Sequence, residues 1–221
     1  MTRFSDFADA FEHENNFYLT SHVTRISKIL AHYELYKMSL DLPGAIVECG
    51  VFKGASLIRL ATFRELFENS FSRPVIGFDA FGEFPDTVNE EDDKFRDKFE
   101  SVTGEDEGIA VDQLHKVLEH KGIDENIELV QGDVRETIPA YCKSHPELKI
   151  ALLNLDTCTY DSCKVILECL YPRIVSGGVV ILDDYGAVAG ETIADDEFFK
   201  DLEPQIKKFR FSRSPCYLIK N

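Results

Sequence analysis

The chain has 221 residues, of which 44% are apolar, with 17 Phe, no Trp and a formal net charge of −16. That length suits one α/β domain with a full core, and the composition is globular rather than disordered. The charge argues against nucleic acid or an anionic membrane surface as main partner, because phosphate binding needs clustered Lys and Arg, and no apolar run approaches the roughly 20 residues of a membrane span.

Met1 to Phe11 carries Asp6 and Asp9 and no basic-then-apolar signal pattern, so a cytoplasmic protein is expected. Ser21 to Ser39 has helical apolar spacing: Val23, Ile26, Ile29, Leu30, Tyr33 and Tyr36. Pro43-Gly44 breaks the chain before a strand, Ala45 to Cys49, and a helix from Ala55 to Glu68. Pro74 to Phe78 reads as a second strand ending at Asp79. A long polar segment follows, Phe81 to Gly108, with a helix expected near Asp92 to Glu100. Ile109 to His120 is a further helix closed by Gly122, Ile127 to Gln131 a third strand and Thr137 to Ser144 a short helix. Leu148 to Leu155 is near-continuously apolar, the pattern of a strand covered on both faces. A helix over Ser162 to Leu170 precedes Gly177-Gly178, which opens a fifth strand, Val179 to Leu182, ending at Asp183-Asp184. Asp195 to Leu202 is helical, and Lys207 to Phe211 with Cys216 to Lys220 suits a terminal hairpin.

Strands alternate with helices over most of the chain, which implies an open parallel sheet with helices on both faces. The expected organisation is one domain over 1–221, with a helical cap at 1–40 and an acidic, lid-like insertion at 81–108. The six cysteines form no CxxC pair, so reduced thiols are expected and a structural zinc site is not. In an open α/β sheet the ligand sits outside the carboxyl ends of the strands, so those ends carry the functional question.

The first strand runs into Glu48-Cys49-Gly50-Val51-Phe52-Lys53-Gly54-Ala55-Ser56. Gly50 and Gly54 let the backbone turn tightly and approach a ligand closely; an ordinary βα turn is the alternative. Phe52 stands where a dinucleotide fingerprint has its middle glycine, and no Gly-Lys-Ser/Thr follows as in a phosphate-binding loop. Asp79, ending the second strand, is placed to accept both hydroxyls of a ribose. Gln131-Gly132-Asp133-Val134 ends the third; its carboxylate either reaches the exocyclic amine of an adenine or caps the next helix. Asp156 closes a strongly apolar strand, where a lone carboxylate needs a partner. If the fourth and fifth strands are neighbours about 4.8 Å apart, Asp156, Asp183 and Asp184 converge. Three such carboxylates repel one another unless a cation intervenes, and Mg²⁺ suits their oxygens. The alternative is that two of the three cap helices or pair with Lys.

Taken together, Val47 to Ser56, Gly77 to Pro85, Leu155-Asp156, Tyr171-Pro172-Arg173 with Gly177-Gly178, and Asp183-Asp184-Tyr185-Gly186 resemble the macrocin O-methyltransferase (TylF) family, from about Tyr36 to Phe199. The resemblance implies a Rossmann-like class I methyltransferase fold, with seven strands in the order 3-2-1-4-5-7-6. It implies transfer of a methyl group from S-adenosylmethionine, with Mg²⁺ or another divalent cation, to a sugar hydroxyl. Glu48, Gly50 and Ser56 would hold the methionine end of the cofactor, with Gly54 in the same turn. Asp79 would hold the ribose, and Gly132 and Asp133 the adenine side. Asp156, Asp183 and Asp184 would be the metal ligands, with Asp156 also the general base and a contact to the cofactor. The family usually has His-Ile-Asp-x-Asp-x-Tyr at the fourth strand; here Asn154 stands for the His and Cys158 for the second Asp.

The acidic stretch Glu83 to Glu107 is expected to order over the substrate, or else to be a solvated loop. The helix Ser21 to Ser39 is expected to cover the site or join a homodimer interface. Three rivals stand: the same fold acting on a catechol-like hydroxyl, a nicotinamide oxidoreductase, and a module that binds cofactor without chemistry. The missing glycine fingerprint and the Asp183-Asp184 pair argue against the second. Asn154 and Cys158 are the best support for the third.

Overall fold

The computed structural model describes residues 6–84, 92, 93, 96 and 108–221. In chain order its main elements are α1 (Ala10–Thr20), α2 (Val23–Met38), β1 (Ala45–Cys49), α3 (Ala55–Phe67), β2 (Val75–Asp79), α4 (Val111–Lys121), β3 (Ile127–Gln131), α5 (Val134–Ser144), β4 (Ile150–Leu155), α6 (Tyr160–Leu170), β5 (Ile174–Leu182), α7 (Ala189–Phe199), β6 (Lys207–Lys208) and β7 (Cys216–Ile219). They form one seven-stranded sheet in the order β3-β2-β1-β4-β5-β7-β6. β1 to β5 pair in parallel, and β7 runs antiparallel to both β5 and β6. This is the order the family resemblance implied.

β1 and β4 are buried along their whole length, which is why both read as apolar runs rather than alternating ones. Their side chains still alternate between two cores. Val47, Cys49, Leu153, Leu155, Val180 and Leu182 pack on one face against α5, α6 and α7. Ile46, Leu152, Val179 and Ile181 pack on the other against α2, α3 and α4. Arg64 of α3 is wholly buried on that second side. Its guanidinium donates to the carbonyls of Arg73 (3.2 Å), Asn126 (3.0 Å) and Glu125 (2.6 Å), tying α3 to the entrances of β2 and β3.

Several boundaries depart from the sequence reading. α1 buries none of its residues, so it leaves no apolar stripe to read. β5 begins at Ile174, not Val179, and takes Gly177-Gly178 into the strand. A Cβ on Gly178 would lie 2.3 Å from the Ile174 side chain and 2.8 Å from the Val175 carbonyl, so the glycines mark an irregular strand rather than its start. α7 starts at Ala189 instead of Asp195, and the β6 strand shrinks to Lys207–Lys208. The helix expected near 92–100 and the acidic lid lie largely outside the described residues; Asp92, Asp93 and Arg96 are helical. Among the described residues no helix is long and apolar enough to cross a membrane.

Candidate active site

β1 lies between β2 and β4, so the chain leaves it in opposite directions and opens a crevice at the strand ends. A cavity of about 270 Å³ occupies this place. Its walls include Gly50 to Lys53 after β1, Asp79 at the end of β2, Asp156 to Thr159 after β4, and Arg25 and Lys28 from α2. α2 therefore forms part of the site's wall.

Of the residues read as cofactor-binding, Gly50, Ser56, Asp79 and Asp156 line the cavity, whereas Glu48, Gly54, Gly132 and Asp133 do not. Glu48 stands one layer back. It is fully buried on the α2–α3 side, and its Oε1 accepts from Ser56 Oγ and, at 3.2 Å, from Asn154 Nδ2. Burial pushes its carboxyl up to about 8, against the pull of those two donors. Its Oε2 has no partner. The Asp79 carboxylate gathers the loops: Oδ2 accepts from Val51 N–H (2.7 Å) and Phe52 N–H (2.9 Å), and Oδ1 from Phe81 N–H (2.7 Å). Asp133 is the N-cap of α5, accepting from Arg135 N–H at 2.9 Å, and it pairs with the Arg135 guanidinium. Those bonds, above all the guanidinium's, hold its carboxyl below the usual range. Of the two readings of Asp133, the helix cap is the one its contacts display; its neighbours Val134 and Arg135 line the cavity.

The turn glycines answer to the protein's own backbone and side chains. Gly50 has φ +89, and a Cβ there would sit 1.8 Å from the Asp156 carbonyl oxygen. At Gly54 it would meet the Leu114 side chain at 3.0 Å, and at Gly132 the Thr137 side chain at 2.8 Å.

The three aspartates expected to converge do so only in part. Leu155 pairs with Leu182 in register, so Asp156 and Asp183 leave the sheet side by side. Successive residues of an extended chain point to opposite faces, and Asp183 and Asp184 diverge accordingly. Asp183 follows Val179 and Ile181 toward α2, where Lys28 Nζ binds its Oδ2 and His32 Nε2 faces its Oδ1 at 3.8 Å. Asp184 follows Val180 and Leu182 to the other side, where it accepts from Cys158 Sγ at 3.0 Å. Asp156 stands between them, 3.9 Å from Lys28 Nζ. The group of ligand atoms found within 4.8 Å of one another is Asp156, Cys158 and Asp184, not Asp156, Asp183 and Asp184. The Lys pairing held open as the alternative applies to Asp183.

The charges follow this arrangement. Burial alone would raise the Asp183 carboxyl; His32 and the Lys28 ammonium overcome it and hold it down to about 2. Enclosure and the Asp183 charge push the Asp156 carboxyl well up, with Lys28 opposing. Enclosure also raises Asp184, against the Cys158 hydrogen bond. Arg59 can only donate, so its 3.1 Å contact makes His32 Nδ1 an acceptor and puts the ring proton on Nε2, toward Asp183. Burial lowers the His32 pKa, so the ring is neutral. Behind Asp184, Glu191 is fully buried; its Oε1 accepts from Asp184 N–H at 2.9 Å and its Oε2 from Cys158 N–H at 3.4 Å.

Lys28, His32 and Glu191 were not read from the sequence. Lys28 and His32 lie four apart on one stripe of α2, but nothing local says which strand end that stripe meets. Cys158 was noticed only as a departure from the family motif.

A sheet of this order, with a glycine turn after β1, an acid ending β2 and a cavity at the switch point, defines the Rossmann-like methyltransferases. Within that class, the chain belongs to the macrocin O-methyltransferase (TylF) family, whose profile matches residues 25–208. It is similar to the 8-demethyl-8-(2,3-dimethoxy-alpha-L-rhamnosyl)-tetracenomycin-C 4'-O-methyltransferase of Streptomyces olivaceus, at 27% identity over 145 residues, 65% of this chain and 54% of that one. It is also similar to the demethyldecarbamoylnovobiocin O-methyltransferase of Streptomyces niveus, at 28% identity over 148 residues, 66% and 54% of the two chains. The chain thus spans about half the length of these relatives, 54% of each. Among solved structures, the calicheamicin methyltransferase CalS11 superposes with a TM-score of 0.73 at 26% identity, over 97% of this chain and 87% of that one. The O-methyltransferase NovP shares the fold, with a TM-score of 0.74 at 21% identity over 90% and 80%.

Proposed function

We propose that this chain is an S-adenosylmethionine-dependent O-methyltransferase that methylates a sugar hydroxyl with the help of a divalent cation. The observation that carries the reading is one switch-point cavity lined by Asp79 at the end of β2 and by Asp156 and Cys158 after β4, with the buried Glu48 carboxylate one layer behind Ser56. The bound cofactor supplies an electrophilic sulfonium methyl. Ser56, which lines the cavity and donates to Glu48, is the link from the cofactor's methionine end to the buried Glu48 carboxyl, whose Oε2 has no donor. Asp79 Oδ1 accepts one backbone N–H and has lone pairs left for a ribose hydroxyl. Val134 and Arg135, beside Asp133, form the wall on the adenine side.

Asp156 and Asp184 would hold the cation, and the chemistry a divalent ion supplies there is polarisation of an acceptor hydroxyl. Asp156 reaches the cavity and is the general base: it takes the hydroxyl proton at its carboxylate oxygen. Asp183, bound by Lys28, holds α2 against the site. Arg25 and Arg59 line the same cavity, which also carries acids such as Asp79 and Asp161, and offer cationic contacts to an anionic acceptor such as a nucleotide-linked sugar. The naming of CalS11 as a TDP-rhamnose 3'-O-methyltransferase supports that class.

The competing reading, a module that binds cofactor without chemistry, is favoured by Asn154 and Cys158 in the β4 block. Calorimetry separates the steps. S-adenosylhomocysteine should bind wild type, and Asp79→Ala should weaken it by roughly tenfold or more, about 1.4 kcal/mol. Equal binding by both proteins contradicts the placement of the ribose. Binding without methyl transfer to any acceptor, with or without divalent ions, favours the module.

A further inference from the structure

Resting on that reading, we propose that Cys158 ligates the site's divalent cation through its sulfur, so that the site selects a thiophilic ion such as Zn²⁺ or Co²⁺ over Mg²⁺. The three ligand atoms come from two neighbouring strand ends, Asp156 and Cys158 after β4 and Asp184 after β5, and all lie within 4.8 Å of one another. A four-coordinate ion holds oxygens at about 2.0–2.2 Å and sulfur at about 2.3 Å, so its ligand atoms stand roughly 3.5 Å apart. The 3.0 Å Cys158 Sγ–Asp184 Oδ2 contact already falls inside that span, and small side-chain movements close the rest. Asp156 and Cys158 both line the cavity, with Asp184 behind them.

The donor set decides the ion. Mg²⁺ demands octahedral oxygen coordination and sheds water reluctantly. Thiolate sulfur suits Zn²⁺ and its neighbours in the transition series. With sulfur at one of three protein positions, the group is suited to those ions and ill suited to Mg²⁺. On binding, the Cys158 S–H bond breaks, the proton leaves to solvent, and a sulfur–metal bond takes its place; no electrons are exchanged. The Asp184 oxygen that had accepted the thiol proton becomes free to ligate.

The scaffold behind the ligands is built for this pairing. One Glu191 carboxylate accepts the N–H of Asp184 through Oε1 and of Cys158 through Oε2, bridging the two ligand-bearing loops. Gly190 lets the start of α7 press on the β4–α6 loop: a Cβ there would lie 2.9 Å from Tyr160 N and 3.2 Å from the Cys158 carbonyl oxygen. Glu191 is therefore a positioning residue, of the kind whose loss costs metal sites roughly 10–100-fold in affinity.

The test is Co²⁺ titration of the full chain after chelator treatment. The expected result is a near-ultraviolet sulfur-to-cobalt charge-transfer band that saturates at one equivalent. The band should vanish in Cys158→Ser, and Glu191→Gln should weaken the titration roughly 10–100-fold. Cys158→Asp should shift the Co²⁺ to Mg²⁺ affinity ratio toward Mg²⁺ by about an order of magnitude or more. Zinc-edge X-ray absorption on wild type needs no variant, and should show one sulfur at about 2.3 Å. Co²⁺ binding without the band, a band unchanged in Cys158→Ser, an all-oxygen zinc shell, or no metal binding overturns the proposal. Methyl transfer from S-adenosylmethionine, measured in parallel, tests the methyltransferase reading separately: its presence with any of those outcomes removes Cys158 as ligand and leaves the enzyme standing.

Discussion

Gly50 shows why a single position can decide this site. Its backbone is left-handed, and a Cβ there would come within 1.8 Å of the Asp156 carbonyl oxygen, which leaves no room for any side chain. Gly50→Ala must push β4's end away from β1 or break the turn, and should cost more than about 3 kcal/mol by urea unfolding; a loss under about 1 kcal/mol contradicts the packing. That a glycine belongs there was legible in the sequence, but the reason lay in a strand far along the chain. Asp156 was legible because an acid ending an apolar strand has few structural uses. Asp183 and Asp184 were legible as a pair, but not as opposites: spacing between strands suggested convergence, while the period of the strand sends them to different faces.

At the scale of elements, α2 is docked on the sheet through Lys28 and His32 meeting Asp183. The Asp183 carboxylate is 4% exposed, and Lys28 is the cation bound to it. Lys28→Met should therefore destabilise the fold by about 2–4 kcal/mol, since it strands a buried charge. Adding Asp183→Asn should recover at least about 1 kcal/mol of that loss, a coupling that denaturant unfolding of the four proteins measures. Strictly additive losses would show the pair to be incidental. The periodicity of α2 predicted its apolar stripe well. It was silent on Lys28, because a lysine on a helix face is ordinarily solvated. α1 falls within the helical cap expected at 1–40, but its bounds were not legible, because with no buried residue it writes no pattern.

Across the whole molecule, buried acids tune stability to pH. Asp195 is fully buried with neither carboxylate oxygen partnered, and burial raises it to about 8. Glu48 is raised to about 8 as well. In both, the folded state holds the proton more tightly than the unfolded chain. Their stabilising contribution is complete below the ordinary carboxylate range and is lost as pH rises toward 8. Unfolding free energy should thus fall between about pH 5 and 8, with each group contributing a slope on the order of 1 kcal/mol per pH unit. Asp195→Asn should flatten that fall, and a profile unchanged in the variant contradicts the assignment. The order of seven strands was legible through the family motifs rather than through periodicity, which gave only alternation. The expectation of an acidic lid falls mainly on residues outside those described.

The central claim, that Asp156 beside the cofactor cavity serves methyl transfer to a hydroxyl, is tested most directly by single-turnover transfer of a labelled methyl group from S-adenosylmethionine to a nucleotide-linked deoxysugar. The account predicts transfer to oxygen by wild type and a loss of roughly 10²-fold or more in Asp156→Asn, with S-adenosylhomocysteine binding retained. Transfer by Asp156→Asn at the wild-type rate would contradict it.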